Sequence, residues 1–349
     1  MNGTIWVRWV DSFSDNLKSK IQNPKWWGIF IIAFAFAFGG VEARAQQPKK
    51  IPRVGYLDGA SLSAVAARTE AFRQGLRELG YIDGKNILIE WKSAEGKVER
   101  LPALAAELVR LKVAVIVTGG ATGTRTAKQA TTTIPIVMAQ DPDPVENGFV
   151  ASLARPGGNI TGLSTLAPEL SGKQMELLKE IAPKLSRVAV LGDSNFPGNA
   201  EARRETELAA GAFKVQLQYL DVRSHKDIEA LFRAASKESP DAVLLLSSSL
   251  FFSRRTNIAQ LASKMRLPVM YYAAEFVEDG GLMCYAASRV DSFRRAATYV
   301  DKILKGANPA DLPVEQPKKF EFIINLKAAK QIGLTIPPNI LARADKVIK

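Results

Sequence analysis

Leu185-Ser186-Arg187-Val188-Ala189-Val190-Leu191 repeats, at an offset of 134 residues, the pattern of Ile51-Pro52-Arg53-Val54-Gly55-Tyr56-Leu57. Each is a short apolar run entered through an arginine, as expected of a strand buried on both faces. Two more pairs keep the same order. Ala242-Val243-Leu244-Leu245-Leu246 answers Ala114-Val115-Ile116-Val117 at an offset of 128, and Leu267-Pro268-Val269-Met270 answers Ile134-Pro135-Ile136-Val137 at 133. Similar elements in one order at near-constant offset mark two units of one design.

The segments between these runs read as helices. Val65, Thr69, Phe72, Leu76 and Leu79 recur at helical spacing before a stop at Gly80. Leu101, Leu104, Leu108 and Leu111 do the same, with Pro102 tolerated in the first turn. Asn86 to Trp91 reads as a strand, and the second half offers a helix over 199–213, a strand over 215–222 and a helix over 227–237. Parallel strands need crossover helices. The expectation is therefore an α/β protein of two Rossmann-like lobes, each a parallel sheet with helices on both faces. Ligands of such sheets bind beyond the carboxyl ends of the strands, so two facing lobes would share one cleft. A late helix (Phe293, Ala297, Val300, Leu304) and a late strand (320–324) do not make a third lobe. They are expected to return to the existing sheets, giving a hinge that the chain crosses more than once. The expected organisation is 51–160 plus about 285–310 in the N-terminal lobe, and 161–284 plus about 311–349 in the C-terminal lobe.

Residues 1–45 read separately. Trp26 to Val41 carries no charge, follows Arg8, Lys18, Lys20 and Lys25, and precedes Ala43-Arg44-Ala45. A basic region, an apolar stretch and a small-x-small site describe a secretory signal peptide cleaved after Ala45. The uncharged run is too short for a membrane-spanning helix, which needs roughly 20 residues. Removing this segment leaves 42 basic and 32 acidic residues, a net charge of +10. The basic residues are scattered as pairs such as Arg203-Arg204 and Arg294-Arg295, without a nucleic-acid-binding module, so a solvated basic surface is expected. Cys284 is the only cysteine and sits in an apolar run, so it reads as a buried small hydrophobe. His225 is the only histidine. Ser224 and Asp227 form a capping-box pattern that places His225 in the first turn of a helix, with no metal site indicated.

Several strings resemble a known family. They are Ala71-Phe72-Arg73-Gln74-Gly75-Leu76-Arg77-Glu78-Leu79-Gly80-Tyr81, Leu101 to Val109 (LPALAAELV), Val150 to Gly162 (VASLARPGGNITG), Glu275 to Met283 (EFVEDGGLM), Leu312 to Pro317 (LPVEQP) and Asn325-Leu326-Lys327. Together they resemble the ABC transporter substrate-binding family related to aromatic-amino-acid binding proteins, over about 52–348. The resemblance implies a type I periplasmic-binding fold and capture of a small solute between two lobes. It also implies a membrane permease as partner, an amino acid as the first solute to screen, no cofactor and no catalysis. Gln140-Asp141-Pro142 departs from the Gly-Asp-Pro that relatives often carry there.

The candidate ligand-binding residues follow from strand ends. Thr118-Gly119-Gly120-Ala121-Thr122 leaves a buried strand and opens a helix, whose free N–H groups and positive end suit a carboxylate or phosphate. Thr122 as a plain helix cap is the alternative. Asp141 and Glu275 end corresponding strands, and either offers a charge-assisted hydrogen bond to an ammonium group. Turn and surface roles are their alternatives. Asn195 and Ser247 close second-lobe strands, and Ser61 holds the equivalent place in the first lobe. Tyr272 is the aromatic residue expected to stack on a ligand ring, with core packing as its alternative.

Two other functional classes share parts of this pattern. Gly119-Gly120-x-x-Gly123 with Asp141 roughly 20 residues on suggests a dinucleotide-dependent enzyme. The run is not G-x-G-x-x-G, however, and follows the third strand rather than the first. A sugar-responsive DNA-binding regulator would open on a helix-turn-helix, where this chain has an apolar export segment. The export reading predicts a mature protein that begins at Gln46, and N-terminal sequencing from the native host checks it: intact residues 26–45 would refute it.

Overall fold

The computed structural model describes residues 51–349 apart from Glu238, so the expected signal peptide and its cleavage site lie outside the described residues. Strands β1 (Arg53–Asp58), β2 (Leu88–Ser93), β3 (Val115–Thr118), β4 (Ile136–Asp141) and β5 (Ile160–Ser164) form a parallel sheet in the order β2-β1-β3-β4-β5. The second sheet contains β6 (Arg187–Gly192), β7 (Gln216–Asp221), β8 (Ala242–Leu245), β9 (Val269–Tyr271), β10 (Met283–Ala287), β11 (Phe320–Asn325) and β12 (Lys346–Ile348). Its order is β12-β11-β10-β9-β8-β6-β7. Read from β7 to β10, that order reproduces the first sheet strand for strand, so the repeated runs occupy equivalent places. The addition of β11 and β12 distinguishes the halves. β11 is antiparallel to β10, so the second sheet is mixed, not purely parallel as expected.

Both sheets are buried on both faces, and their strand residues alternate between two cores. In the second lobe Ala189, Leu191, Val243, Leu245, Val269 and Tyr271 face one core. Val188, Val190, Ala242, Leu244 and Met270 face the other. This is the period-2 alternation of a pleated strand, with apolar residues on both sides because helices cover both. The covering helices of the first lobe are α1 (Ala66–Glu78), α2 (Leu101–Arg110) and α3 (Ala121–Ala130). Those around the second sheet include α4 (Ala167–Ile181), α5 (Asn199–Ala212), α6 (Asp227–Lys237), α7 (Ser249–Phe252), α8 (Arg255–Lys264) and α9 (Ala274–Glu278). His225 lies in the turn before α6 rather than in its first turn, although Asp227 does accept the Ser224 N–H at 2.8 Å.

The late helix α10 (Arg289–Leu304) returns to the first lobe, where Phe293, Ala296, Ala297 and Val300 share a core with Val54, Tyr56, Phe72 and Leu76. β5 carries the first sheet to Ser164, past the expected boundary at 160, and β10 keeps the second sheet's chain to Ala287. The chain passes between lobes after β5, again between β10 and α10, and again on the way to β11, where Glu315 still bridges Leu163 of the first lobe. Among the described residues no helix is long and apolar enough to cross a membrane.

α1 and α10 approach closely at Gly75. A Cβ there would collide with the carbonyl oxygen of Arg294 and stand 2.9 Å from the Ala297 Cβ. On helix propensity alone Gly75→Ala would stabilise by about 1 kcal/mol. Backbone cannot move aside as a flexible side chain can, so the opposite sign is expected: a loss of about 1–3 kcal/mol from overpacking. Urea denaturation of the variant reads that sign directly.

Candidate functional site

The carboxyl ends of both sheets meet at a cleft of about 660 Å³, part of it open to solvent. The first lobe contributes Asp58 and Gly59 at the end of β1, Gly119 to Gly123 after β3, Gln140 to Pro142 at the end of β4, and Arg68 from α1. The second lobe contributes Phe196 after β6, Ser247 to Ser249 and Phe252 around α7, and Tyr272 after β9. Thr165 and Arg289 enter where the chain passes between lobes. The arrangement follows from the topology: in a parallel sheet of order 2-1-3-4-5 the loops that leave β1 and β3 diverge, opening a crevice at their ends.

At the first-lobe wall, α3 begins at Ala121 with Gly120 as its N-cap, in extended conformation and without a side-chain cap. The first N–H groups of a helix have no partner within it, and the helix dipole adds positive potential there. Gly119 is obligatory for a steric reason, since a Cβ would collide with the Asp58 carboxylate. Thr122 lines the cleft one position inside the helix and is not its cap. Thr118 is fully buried, and its hydroxyl is bonded to that of Thr124 at 2.7 Å, so it does not face the cleft as expected.

Asp141 is wholly buried. Its Oδ1 accepts from Asn147 Nδ2 at 2.9 Å and from the Asp143 N–H at 3.1 Å, while Oδ2 has no partner. Burial pushes its carboxyl up to about 7, and the neighbouring Asp143 charge adds to the rise. The Asn147 and Asp143 hydrogen bonds and the Arg125 charge oppose it. Next to it, the Gln140 Nε2 donates to the Gly119 carbonyl at 2.6 Å, and its buried Oε1 is unpartnered.

Glu275 does not stand free for a ligand. Arg68 Nε donates to its Oε1 at 2.7 Å, and Arg289 Nη1 lies 3.8 Å from its Oε2. Burial pushes the Glu275 carboxyl up, but Arg68 and then Arg289 outweigh it and hold it at about 2. The guanidinium of Arg68 sits 4.3 Å from the Phe252 ring centroid, and that of Arg289 sits 5.1 Å from the Tyr272 centroid. Tyr272 therefore lines the cleft with a guanidinium already beside its ring, and its hydroxyl donates to the Ser248 carbonyl at 2.7 Å. Burial pushes Asp58 up, against the Ala60 N–H, Arg68, the Tyr56 hydroxyl and Arg289.

The remaining expected residues divide. Ser247 lines the cleft. Ser61 lies outside it, its hydroxyl accepting from the Ala64 N–H at 3.2 Å. Asn195 is exposed at the rim, where its backbone carbonyl accepts from Arg125 across the lobes at 3.5 Å. From that loop it is Phe196 that reaches the cleft and packs toward the first-lobe core. Sequence reasoning missed Asp58, Arg68, Gln140, Phe196 and Arg289, and it favoured core packing for Phe252, which also lines the cleft. Asp58 had a signal, as the acid ending the first buried strand. Arg68 and Arg289 had none, since an arginine in a helix normally faces solvent.

Two doubly wound lobes with facing strand ends and a polar cleft between them define a bilobal binding protein. The chain belongs to the family of ABC transporter substrate binding proteins, whose model matches residues 57–348. It is similar to a tyrosine-binding protein of Clostridioides difficile, 24% identical over 306 residues that cover 84% of each chain. A conserved domain protein of Vibrio cholerae has a similar structure, at 28% identity and a TM-score of 0.81, covering 85% of this chain and 100% of that one. So does an ABC domain from Streptococcus pneumonia in complex with L-Trp, at 25% identity and 0.79, covering 85% and 99%.

The buried Asp141 sets a pH dependence of stability. Its folded pKa is raised, so between about pH 4 and 7 the folded state holds a proton that the unfolded state has released. Stability from this group is therefore present at low pH and lost as pH rises towards 7, by at most about 4 kcal/mol. Asp141→Asn removes the effect and keeps an acceptor for Asn147. The variant is expected to gain on the parent protein from pH 4.5 to about 7 and to level off above that in urea denaturation. Parallel curves would show that Asp141 is ionised throughout.

Proposed function

We propose that this protein is the extracytoplasmic solute-binding component of an ABC importer, that it captures a free amino acid in the cleft, and that it delivers it to a membrane permease without chemistry of its own. One observation carries the amino-acid reading: an unpartnered buried acceptor, Asp141 Oδ2, and the uncapped amino end of α3 line the same cleft. Once Asp141 ionises, which a bound ammonium group favours by its opposite charge, one small site holds a negative and a positive pole and suits a zwitterion. Asp141 takes the ammonium group by a charge-assisted hydrogen bond. The N–H groups of Ala121 and Thr122, with the Thr122 hydroxyl, take the carboxylate. Ser247 and Phe196 approach from the second lobe, so a bound solute touches both lobes and favours their closure.

The tyrosine-binding relative and the L-Trp complex support an amino acid as solute. The apolar export segment supports delivery outside the cytoplasmic membrane, and membership in a substrate-binding family supports both binding without catalysis and a permease partner.

Thermal melting with each of the twenty standard L-amino acids tests the proposal. A cognate amino acid at a hundredfold excess over its dissociation constant stabilises by about 2.7 kcal/mol. Calorimetry with its decarboxylated amine is expected to show at least about tenfold weaker binding, the loss of hydrogen bonds to a charged group. If no amino acid shifts the melt, the amino-acid reading is wrong.

A further inference from the structure

The end of β4 carries two buried acceptors side by side. Asp141 Oδ2 and Gln140 Oε1 both lack a partner, and both residues line the cleft. Successive residues of a regular strand face opposite sides of its sheet, so adjacency alone does not bring two side chains to one cleft. Here the β4–β5 register shifts between Met138 and Asp141: Met138 opposes Gly162, while Asp141 opposes Ser164. The extra residue on β4 is a bulge, which bends a strand and re-aims its side chains.

The Gln140 amide is fixed rather than free to turn. Its Nε2 donates to the Gly119 carbonyl at 2.6 Å, and the reverse orientation would set two acceptors against each other. The Asp58 carboxylate packs against Gly119 so closely that no side chain fits there. The side-chain carbonyl of Gln140 is thus presented as an acceptor by a rigid support, with the residue only 9% exposed. Buried acceptors left without a donor carry a desolvation penalty. A ligand that supplies donors to both removes that penalty twice.

We propose that Gln140 is a specificity-determining residue of the cleft: with Asp141 it forms a paired acceptor that selects a solute head group bearing at least two N–H donors, as a primary ammonium does, over a head group with one donor. The proposal rests on the amino-acid reading of the cleft and adds how the ammonium end is recognised. One N–H of the head group goes to Asp141 Oδ2 and a second to Gln140 Oε1. A tertiary ammonium or a hydroxyl satisfies only one of them.

The test uses the mature protein, the amino acid among the twenty that shifts its melt most, and the N,N-dimethyl derivative of that amino acid, which has a single N–H. Calorimetry is run on the parent protein, Gln140→Leu and Gln140→Met, and ligand-free melts report whether each variant is folded. The parent is expected to prefer the amino acid over its dimethyl derivative. Both variants are expected to lose about tenfold or more in affinity for the amino acid and little for the dimethyl derivative, so the preference falls about tenfold. A merely structural role for Gln140 would weaken both ligands alike and leave the ratio unchanged, which overturns the proposal while leaving the amino-acid reading intact. A parent protein that binds none of the twenty amino acids overturns both.

Discussion

Glu275, caught between Arg68 and Arg289, ties the two halves of this molecule together. Arg68 belongs to α1 and Arg289 to the start of α10, both packed on the first sheet, while Glu275 belongs to α9 of the second lobe. The side chain of Arg68 is only 4% exposed. A buried ion pair of this kind contributes little net stability against a well-packed apolar substitute, because both charges lose their hydration. Removing one partner is another matter, since it strands a charge in a poorly solvated place. The cluster therefore acts chiefly on geometry. It fixes where the second-lobe aromatics Phe252 and Tyr272 stand relative to first-lobe guanidiniums, and it sets one wall of the cleft.

That constraint explains why the architecture was legible in the sequence and part of the site was not. The duplicated apolar runs announced two lobes because burial on both faces of a parallel sheet leaves a local mark, a continuous run of β-branched and aliphatic residues. The strand ends at Gly119 to Thr122 and at Asp141 were legible for the same reason: in such a sheet they mark where each run stops. Arg68 and Glu275 are 207 positions apart, and nothing in the neighbourhood of either reports the other. Glu275 looked like a free carboxylate for a ligand because its partners lie on helices that the sequence shows only as charged and amphipathic.

β5 and β12 were missed through shortness and company. Ile160-Thr161-Gly162-Leu163-Ser164 mixes small and polar residues, and Lys346-Val347-Ile348 has three residues at the edge of its sheet. Neither makes an apolar run on its own, and each becomes a strand because a finished neighbour offers it a row of hydrogen bonds. The antiparallel β11 is a similar case. Its residues read correctly as a strand, but direction depends on which way the chain returns after α10, a matter of path length rather than composition. Gln140 stood out in the sequence only as a departure from a Gly-Asp-Pro pattern; its place in the cleft beside Asp141 goes with the register shift in β4, which no local sequence signal announces.

The return of α10 to the first lobe has a consequence for how the molecule is made. Val54, Tyr56, Phe72 and Leu76 form half of a core whose other half, Phe293, Ala296, Ala297 and Val300, is more than two hundred positions later in the chain. Chains emerge amino end first, and lobes tend to fold in the order they are synthesised. This first lobe cannot finish early: its sheet waits, with one greasy face only partly covered by α1, until the second lobe has been built and the helix beyond it has been delivered. The halves that look like duplicated, self-sufficient modules are thus obliged to mature together, and a truncation before Arg289 would leave both the earlier half sticky and the later half without its tether.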